Sequence, residues 1–222
     1  MSEQQRSFNV PNPAAAQARR PDSLGSAAAG LAAARRSTAE LHSQVEARIG
    51  RPGPGFDRSS YQRLLATFWG VHVPLDRAMR VMHDGEFLAD GLARNWRTQA
   101  LFRDLADLGM TPDEINRLPV AEVSLATDPI EGLGWGYMRE GSTLGGQVLV
   151  RLVVGAVTCG PVPTAFLTAY GADTPARWAD FMSDAERQIV AAGAGAPERF
   201  AAGAAAAFSF IDRWLDQRGY HV

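Results

Sequence analysis

The chain has no lysine, one cysteine and four histidines in 222 residues, and these scarcities exclude whole classes of chemistry. All 22 basic residues are arginines, so any anion held here is held by a planar guanidinium fork, a shape suited to carboxylates. The single cysteine, Cys159, excludes an internal disulfide and any cysteine-based zinc or iron–sulfur centre. No two histidines share a helix face with carboxylates in the Glu-x-x-His pattern of di-iron bundles. No segment has the length and apolarity of a membrane helix. The start lacks the basic-then-apolar order of a secretory signal, so a cytoplasmic location is expected. A net charge of −2 gives no general attraction to nucleic acid or anionic membranes. Alternating strand patterns are absent as well.

What remains is helical periodicity. Residues 1–23, with Pro11, Pro13 and Pro21, read as a flexible leader, and residues 24–222 as one all-α domain. The first helix is expected from Leu24 to Ile49, stopped by the breaker Gly50-Arg-Pro-Gly-Pro-Gly55. A second follows Asp57, with Pro74 expected to end or kink it. A third covers about Arg94 to Leu108, and Thr111-Pro-Asp-Glu114 has the residues of a capping box with proline at the first helical position. Asp128-Pro129 opens a long apolar helix reaching toward Cys159. Two more are expected, Pro175 to Ala192 and Pro197 to Arg218.

The long helix carries Gly141, Gly145 and Gly146 within six residues. Each costs a helix interior about 1 kcal/mol relative to alanine. The economical reason is a flat or bulky body lying against the backbone where a Cβ would collide; glycine also permits a kink.

The first helix carries a core stripe of Leu31, Ala34, Thr38, Leu41 and Val45. His42 stands at the edge of that stripe, with Arg35, Thr38, Glu46 and Ile49 on the same side. Imidazole is a common ligand for haem iron, and a ligating histidine usually has its second nitrogen bonded to a carboxylate or carbonyl. Glu46, one turn on, is placed to supply that bond. Arg35 lies two turns back, roughly 10.5 Å along the axis. A hydrogen-bonded structural histidine has the same pattern. His72 precedes a proline-disrupted turn, His83 sits in a polar stretch, and His221 is near the end of the chain.

Ser37-Thr-Ala-Glu-Leu-His-Ser-Gln-Val-Glu46 resembles the proximal helix of the haem oxygenase family, and Gly141-Ser-Thr-Leu-Gly-Gly-Gln147 resembles its distal helix. The second motif is closest to the bacterial branch associated with bacteriophytochromes. The resemblance runs from about Leu31 to Leu215. It implies a multi-helix bundle with haem b between a proximal and a kinked distal helix, where haem is substrate and cofactor, bound through iron. It implies His42 as iron ligand and Glu46 as its orienting partner, with Arg35 near the propionates. Gly141, Gly145 and Gly146 would line the distal face, and Ser142 stands where animal members carry an aspartate. Ala39 replaces a second basic residue of those members, leaving Arg177, or alternatively Arg139, to complete propionate binding. Phe208 and Phe210 are candidate pocket walls.

The implied products are biliverdin, carbon monoxide and ferrous iron, with electrons from a ferredoxin, flavodoxin or reductase, and a bacteriophytochrome as a recipient. A haem-binding or haem-sensing protein without turnover would keep both motifs. A thiaminase-like hydrolase or di-iron oxidase would share the fold, but Cys159 has no histidine near it in sequence to activate a thiol.

Overall fold

The computed structural model describes residues 21–84, 96–124 and 128–220, with side chains for 30–80, 97–124 and 128–220. Every regular element among them is helical: α1 Pro21–Ile49, α2 Arg58–Asp84, α3 Trp96–Asp107, α4 Pro112–Asn116, α5 Pro129–Ala156, α6 Ala165–Thr168, a 3-10 turn at Gly171–Asp173, α7 Thr174–Ala192 and α8 Ala196–Gln217. The expected leader lies mostly outside the described residues, and α1 opens at Pro21 rather than Leu24. The four-residue helix α6 was not expected from the sequence.

Local chemistry sets several helix ends. Thr111 accepts from the Glu114 N–H at 3.3 Å while the Glu114 carboxylate accepts from the Thr111 N–H at 2.7 Å, completing the capping box of α4. Asp128 accepts from the N–H groups of Ile130 and Glu131 at 2.8 and 3.0 Å, capping α5. Such a cap contributes about 1 kcal/mol.

Pro74, expected to end or kink α2, does not end it. A proline removes the N–H that would serve the carbonyl four residues earlier. That carbonyl belongs to Gly70, and it accepts instead from the Ala121 N–H at 2.9 Å. The donor comes from the segment after α4, so the helix continues to Asp84.

The core falls into two apolar clusters. One joins α1, α5, α7 and α8 through Ala34, Val45, Leu133, Phe181, Phe200 and Ile211, with Leu75 and Met79 of α2. The other joins α2, α3 and α6 through Leu64, Leu65, Leu101, Leu105 and Phe166, with Ile115 of α4 and Val153 of α5. Helix α8 packs along α1 and across α5. The α5–α8 crossing depends on two glycines: a Cβ on Gly203 would stand 2.0 Å from the Glu131 oxygen, and one on Gly134 2.3 Å from the Phe200 oxygen. Arg48 ties α1 to α8 through Asp212 at 2.6 Å and Asp216 at 2.8 Å. No described helix is long and apolar enough to cross a membrane.

Candidate functional site

A cavity of about 610 Å³ lies between the helices, within the roughly 300–1,000 Å³ typical of ligand clefts. Helix α1 lines it with Thr38, His42, Val45, Glu46 and Ile49, followed by Arg51. Helix α5 lines it from Tyr137 to Leu152, including Gly141, Ser142, Gly145 and Gly146. Phe68, Val71 and His72 of α2, Arg97 of α3, Phe166 and Leu167 of α6, Trp178 of α7 and Phe208 and Ile211 of α8 complete it. The two sequence motifs, about a hundred residues apart, thus share one largely apolar chamber.

On the α1 side the His42 side chain is 53% exposed, and its ring lies 5.4 Å from that of Phe208. His42 Nδ1 stands 3.6 Å from a Glu46 carboxylate oxygen, an ion-pair distance slightly too long for a direct hydrogen bond. Thr38 does not point a free hydroxyl at the chamber, since its Oγ1 donates to the Ala34 oxygen at 2.8 Å. Ala34 and Val45, on the buried side of α1, hold the helix so that His42 faces the cavity rim.

On the α5 side the three glycines differ. A Cβ on Gly145 would meet nothing within 4 Å, so its bare backbone opens on the cavity. A Cβ on Gly146 would stand 2.6 Å from the Leu167 oxygen, so this glycine is required by the close approach of α6 as much as by anything in the chamber. A Cβ on Gly141 would make ordinary contact with Trp178 at 3.5 Å. The helix runs unbroken through all three. Gln147 fastens the segment by donating to the Thr168 oxygen at 2.8 Å.

Several sequence candidates lie elsewhere. Arg35 and Arg177 are exposed and do not line the chamber, and the Arg177 guanidinium lies 5.7 Å from the Tyr170 ring centre. Phe210 is core, packed against Trp135 at 5.5 Å. Arg139, the alternative propionate partner, is fully buried. Its Nε donates to Asp76 at 3.1 Å and its Nη1 to Glu140 at 2.9 Å. Asp76 also accepts from the Thr98 backbone and hydroxyl at 3.1 and 2.7 Å, and Glu140 accepts from the Tyr170 hydroxyl at 3.0 Å. Buried charges persist only when paired and hydrogen-bonded in this way.

Two cavity residues were given little or no weight in the sequence. His72 is 5% exposed, set edge-on to Phe166 at 5.1 Å and Phe68 at 6.4 Å. The expectation of a proline-disrupted turn at His72 fails because α2 continues through Pro74. Arg97 is 3% exposed and donates from Nη1 to Ser142 Oγ at 2.9 Å. Burial lowers the Arg97 guanidinium to about 10, still charged at neutral pH. His83 and His221 lie outside the residues whose side chains are described.

Burial first, then the positive charges of Arg97 and Arg139, holds the His72 imidazole well below its ordinary value of 6.5. The native protein therefore keeps His72 neutral at a pH where the unfolded chain binds a proton. Unfolding free energy should fall as pH drops below about 6.5, by at most about 1.4 kcal/mol per pH unit from this one group. Chemical denaturation of the ligand-free protein between pH 7 and pH 5 measures it. The His72→Phe variant should show a shallower acid slope, and an unchanged slope would refute the assignment.

Among the described residues no three histidines, cysteines or carboxylates come together as a metal cage.

The sequence profile described as Heme oxygenase matches residues 30–217. The chain belongs to the haem oxygenase family. It is 33% identical over 118 residues to a protein named Heme oxygenase PigA from Pseudomonas aeruginosa, an alignment covering 51% of this chain and 56% of that relative. The chain thus matches little more than half the length of that relative. The fold is similar to a solved haem oxygenase from Neisseria meningitidis in its NO- and CO-bound forms, with a TM-score of 0.66, 20% identity, and coverage of 85% of this chain and 91% of the other. In this family setting, the exposed imidazole, the apolar chamber and the bare backbone at Gly145 fit a flat macrocycle carrying its own metal.

Proposed function

We propose that this protein is a haem oxygenase that takes haem b into the cavity through His42 and opens its ring to biliverdin, releasing carbon monoxide and ferrous iron. The observation that carries the reading is the presence of His42 and the open backbone of Gly145 on one 610 Å³ chamber. Haem, when bound, supplies the oxygen activation, and the protein supplies ligation, orientation and electrostatics.

In this reading His42 binds the iron and Glu46, 3.6 Å from Nδ1, biases the imidazole tautomer. Thr38 and Phe208 flank the imidazole side. Gly141, Gly145 and Gly146 keep side chains off the opposite face, and Ser142 offers an oxygen there. The apolar lining excludes bulk water from the reacting edge. Arg35 and Arg177 remain the assigned partners for the carboxylate edge, from outside the chamber, and Arg51, which lines it, joins them. A cytoplasmic setting, an external ferredoxin, flavodoxin or reductase as electron source, and bacteriophytochrome chromophore supply belong to the same proposal.

The test is optical. Adding hemin to the purified protein should give a Soret band at one hemin per chain, and reductant with oxygen should convert it to a biliverdin absorption. A stable complex that never opens the ring would favour a haem sensor. No Soret complex at all would refute haem binding altogether.

A further inference from the structure

Helix α6 has four residues, far fewer than the roughly 12–15 at which a helix begins to hold itself together in water. Tertiary bonds must therefore fix its place. That place matters to the cavity, because Phe166 and Leu167 both line it. The Phe166 ring lies 5.5 Å from that of Phe68 and 5.1 Å from that of His72, two further cavity residues. Where α6 sits decides where this part of the wall stands.

Thr164 occupies the N-cap position of α6, but its side chain makes no capping hydrogen bond. The cap comes from α3 instead. One oxygen of the Asp104 carboxylate accepts from the Ala165 N–H at 3.0 Å and the other from the Phe166 N–H at 2.8 Å. Asp104 is 1% exposed, and a carboxylate buried so deeply is costly unless its oxygens are bonded. Two further ties flank this one: the Tyr61 hydroxyl donates to the Pro163 oxygen at 2.7 Å, and Gln147 donates to the Thr168 oxygen at 2.8 Å. Just beyond α6, Ala169 has a φ of 49°, a left-handed conformation that a residue with a Cβ keeps only where its surroundings impose it. The segment is pinned from outside.

We propose that Asp104 is a positioning residue for haem binding: without lining the cavity itself, it seats α6 and so sets the wall made by Phe166 and Leu167. The inference rests on haem being the molecule the cavity takes. Losing the carboxylate would leave two buried N–H groups without partners, and α6 would spend part of its time unseated. The apparent affinity of a ligand falls with the fraction of chains that are competent to bind it.

Hemin titration of the folded protein, followed at the Soret band well below the melting temperature, tests this together with amide hydrogen exchange of the ligand-free protein. Asp104→Ala should weaken hemin binding about tenfold and speed exchange across residues 163–170. Asp104→Asn keeps one acceptor oxygen and should restore part of both. Tyr61→Phe, which removes only the bond to Pro163, should weaken hemin binding roughly threefold. Wild-type hemin affinity in Asp104→Ala overturns the inference, even if the melting temperature falls, because the residue then serves stability alone. Weaker binding with unchanged exchange across 163–170 also overturns it, since Asp104 would not be acting through α6. If Asp104→Ala fails to fold, wild-type affinity in Tyr61→Phe and in any folded Asp104→Asn overturns it. A wild-type protein that forms no Soret complex overturns the haem reading and this inference together, whereas the other outcomes bear on Asp104 alone.

Discussion

The His42→Ala variant should lose ring-opening turnover while keeping the helical fold. The side chain of His42 is 53% exposed and its ring contacts that of Phe208, so its loss should change stability by no more than about 0.5 kcal/mol. The functional effect should be of a different order. Removing a partner outside the ligand sphere typically costs about 10- to 100-fold, and removing the proposed iron ligand should exceed that. Glu46→Gln makes the contrast. At 3.6 Å from His42 and 68% exposed, the Glu46 carboxylate is a solvent-screened neighbour, so its loss should cost tenfold or less. The measurement is the decay of the Soret band under reductant and oxygen, alongside thermal melting by circular dichroism. Added imidazole should restore part of the His42→Ala spectrum, because the truncation opens a gap on the cavity wall. Full turnover in His42→Ala would show that the ligand is another residue. The ranking of the two variants matters too: an equal loss in both would mean that Glu46 does more than bias a tautomer.

How much of this was legible in the sequence depends on how local each cause is. The capping box at Thr111 and the cap at Asp128 involve neighbours a few residues apart, so their sequence patterns reappear as hydrogen bonds. The stripe on α1 likewise follows from periodicity, with Ala34, Thr38 and Val45 buried. That Pro74 leaves α2 unended is not local, because the donor that serves the Gly70 carbonyl is Ala121, from a distant segment. His72 lies two residues before the proline on the same helix, and its place on the cavity is set by packing against Phe68 and, from α6, Phe166. Arg139 was the alternative propionate partner in the sequence, and only the approach of Asp76 from α2 makes it a buried pair. Arg97 had no local signal at all, since its partner Ser142 lies on another helix. The motifs around His42 and Gly145 were readable because each is contiguous. What completes the chamber between them comes from tertiary packing.

The glycine cluster gives the second large effect, because its members answer to different neighbours. Gly145→Leu should weaken hemin binding by at least about tenfold, since the site has no atom within 4 Å of an added Cβ and a branched side chain there fills the cavity instead of the core. The same variant should not lower the melting temperature, because replacing an interior helix glycine recovers up to about 1 kcal/mol of propensity. Gly146→Ala should behave in the opposite sense. Its Cβ would stand 2.6 Å from the Leu167 oxygen, a backbone atom of α6 that can yield only by moving the helix. Overpacking of that kind costs about 1–3 kcal/mol. Set against the same propensity gain, the net loss is up to about 2 kcal/mol, or several degrees in a chain of this size. Hemin titration and thermal melting on the two variants separate the causes. If Gly145→Leu bound hemin like wild type, the bare backbone would not be a haem wall, and the motif would reduce to helix packing. If Gly146→Ala were as stable as Gly145→Leu, the close approach of α6 would not be what requires that glycine. The expected split assigns one glycine to the ligand and its neighbour to the scaffold that holds the ligand's wall in place.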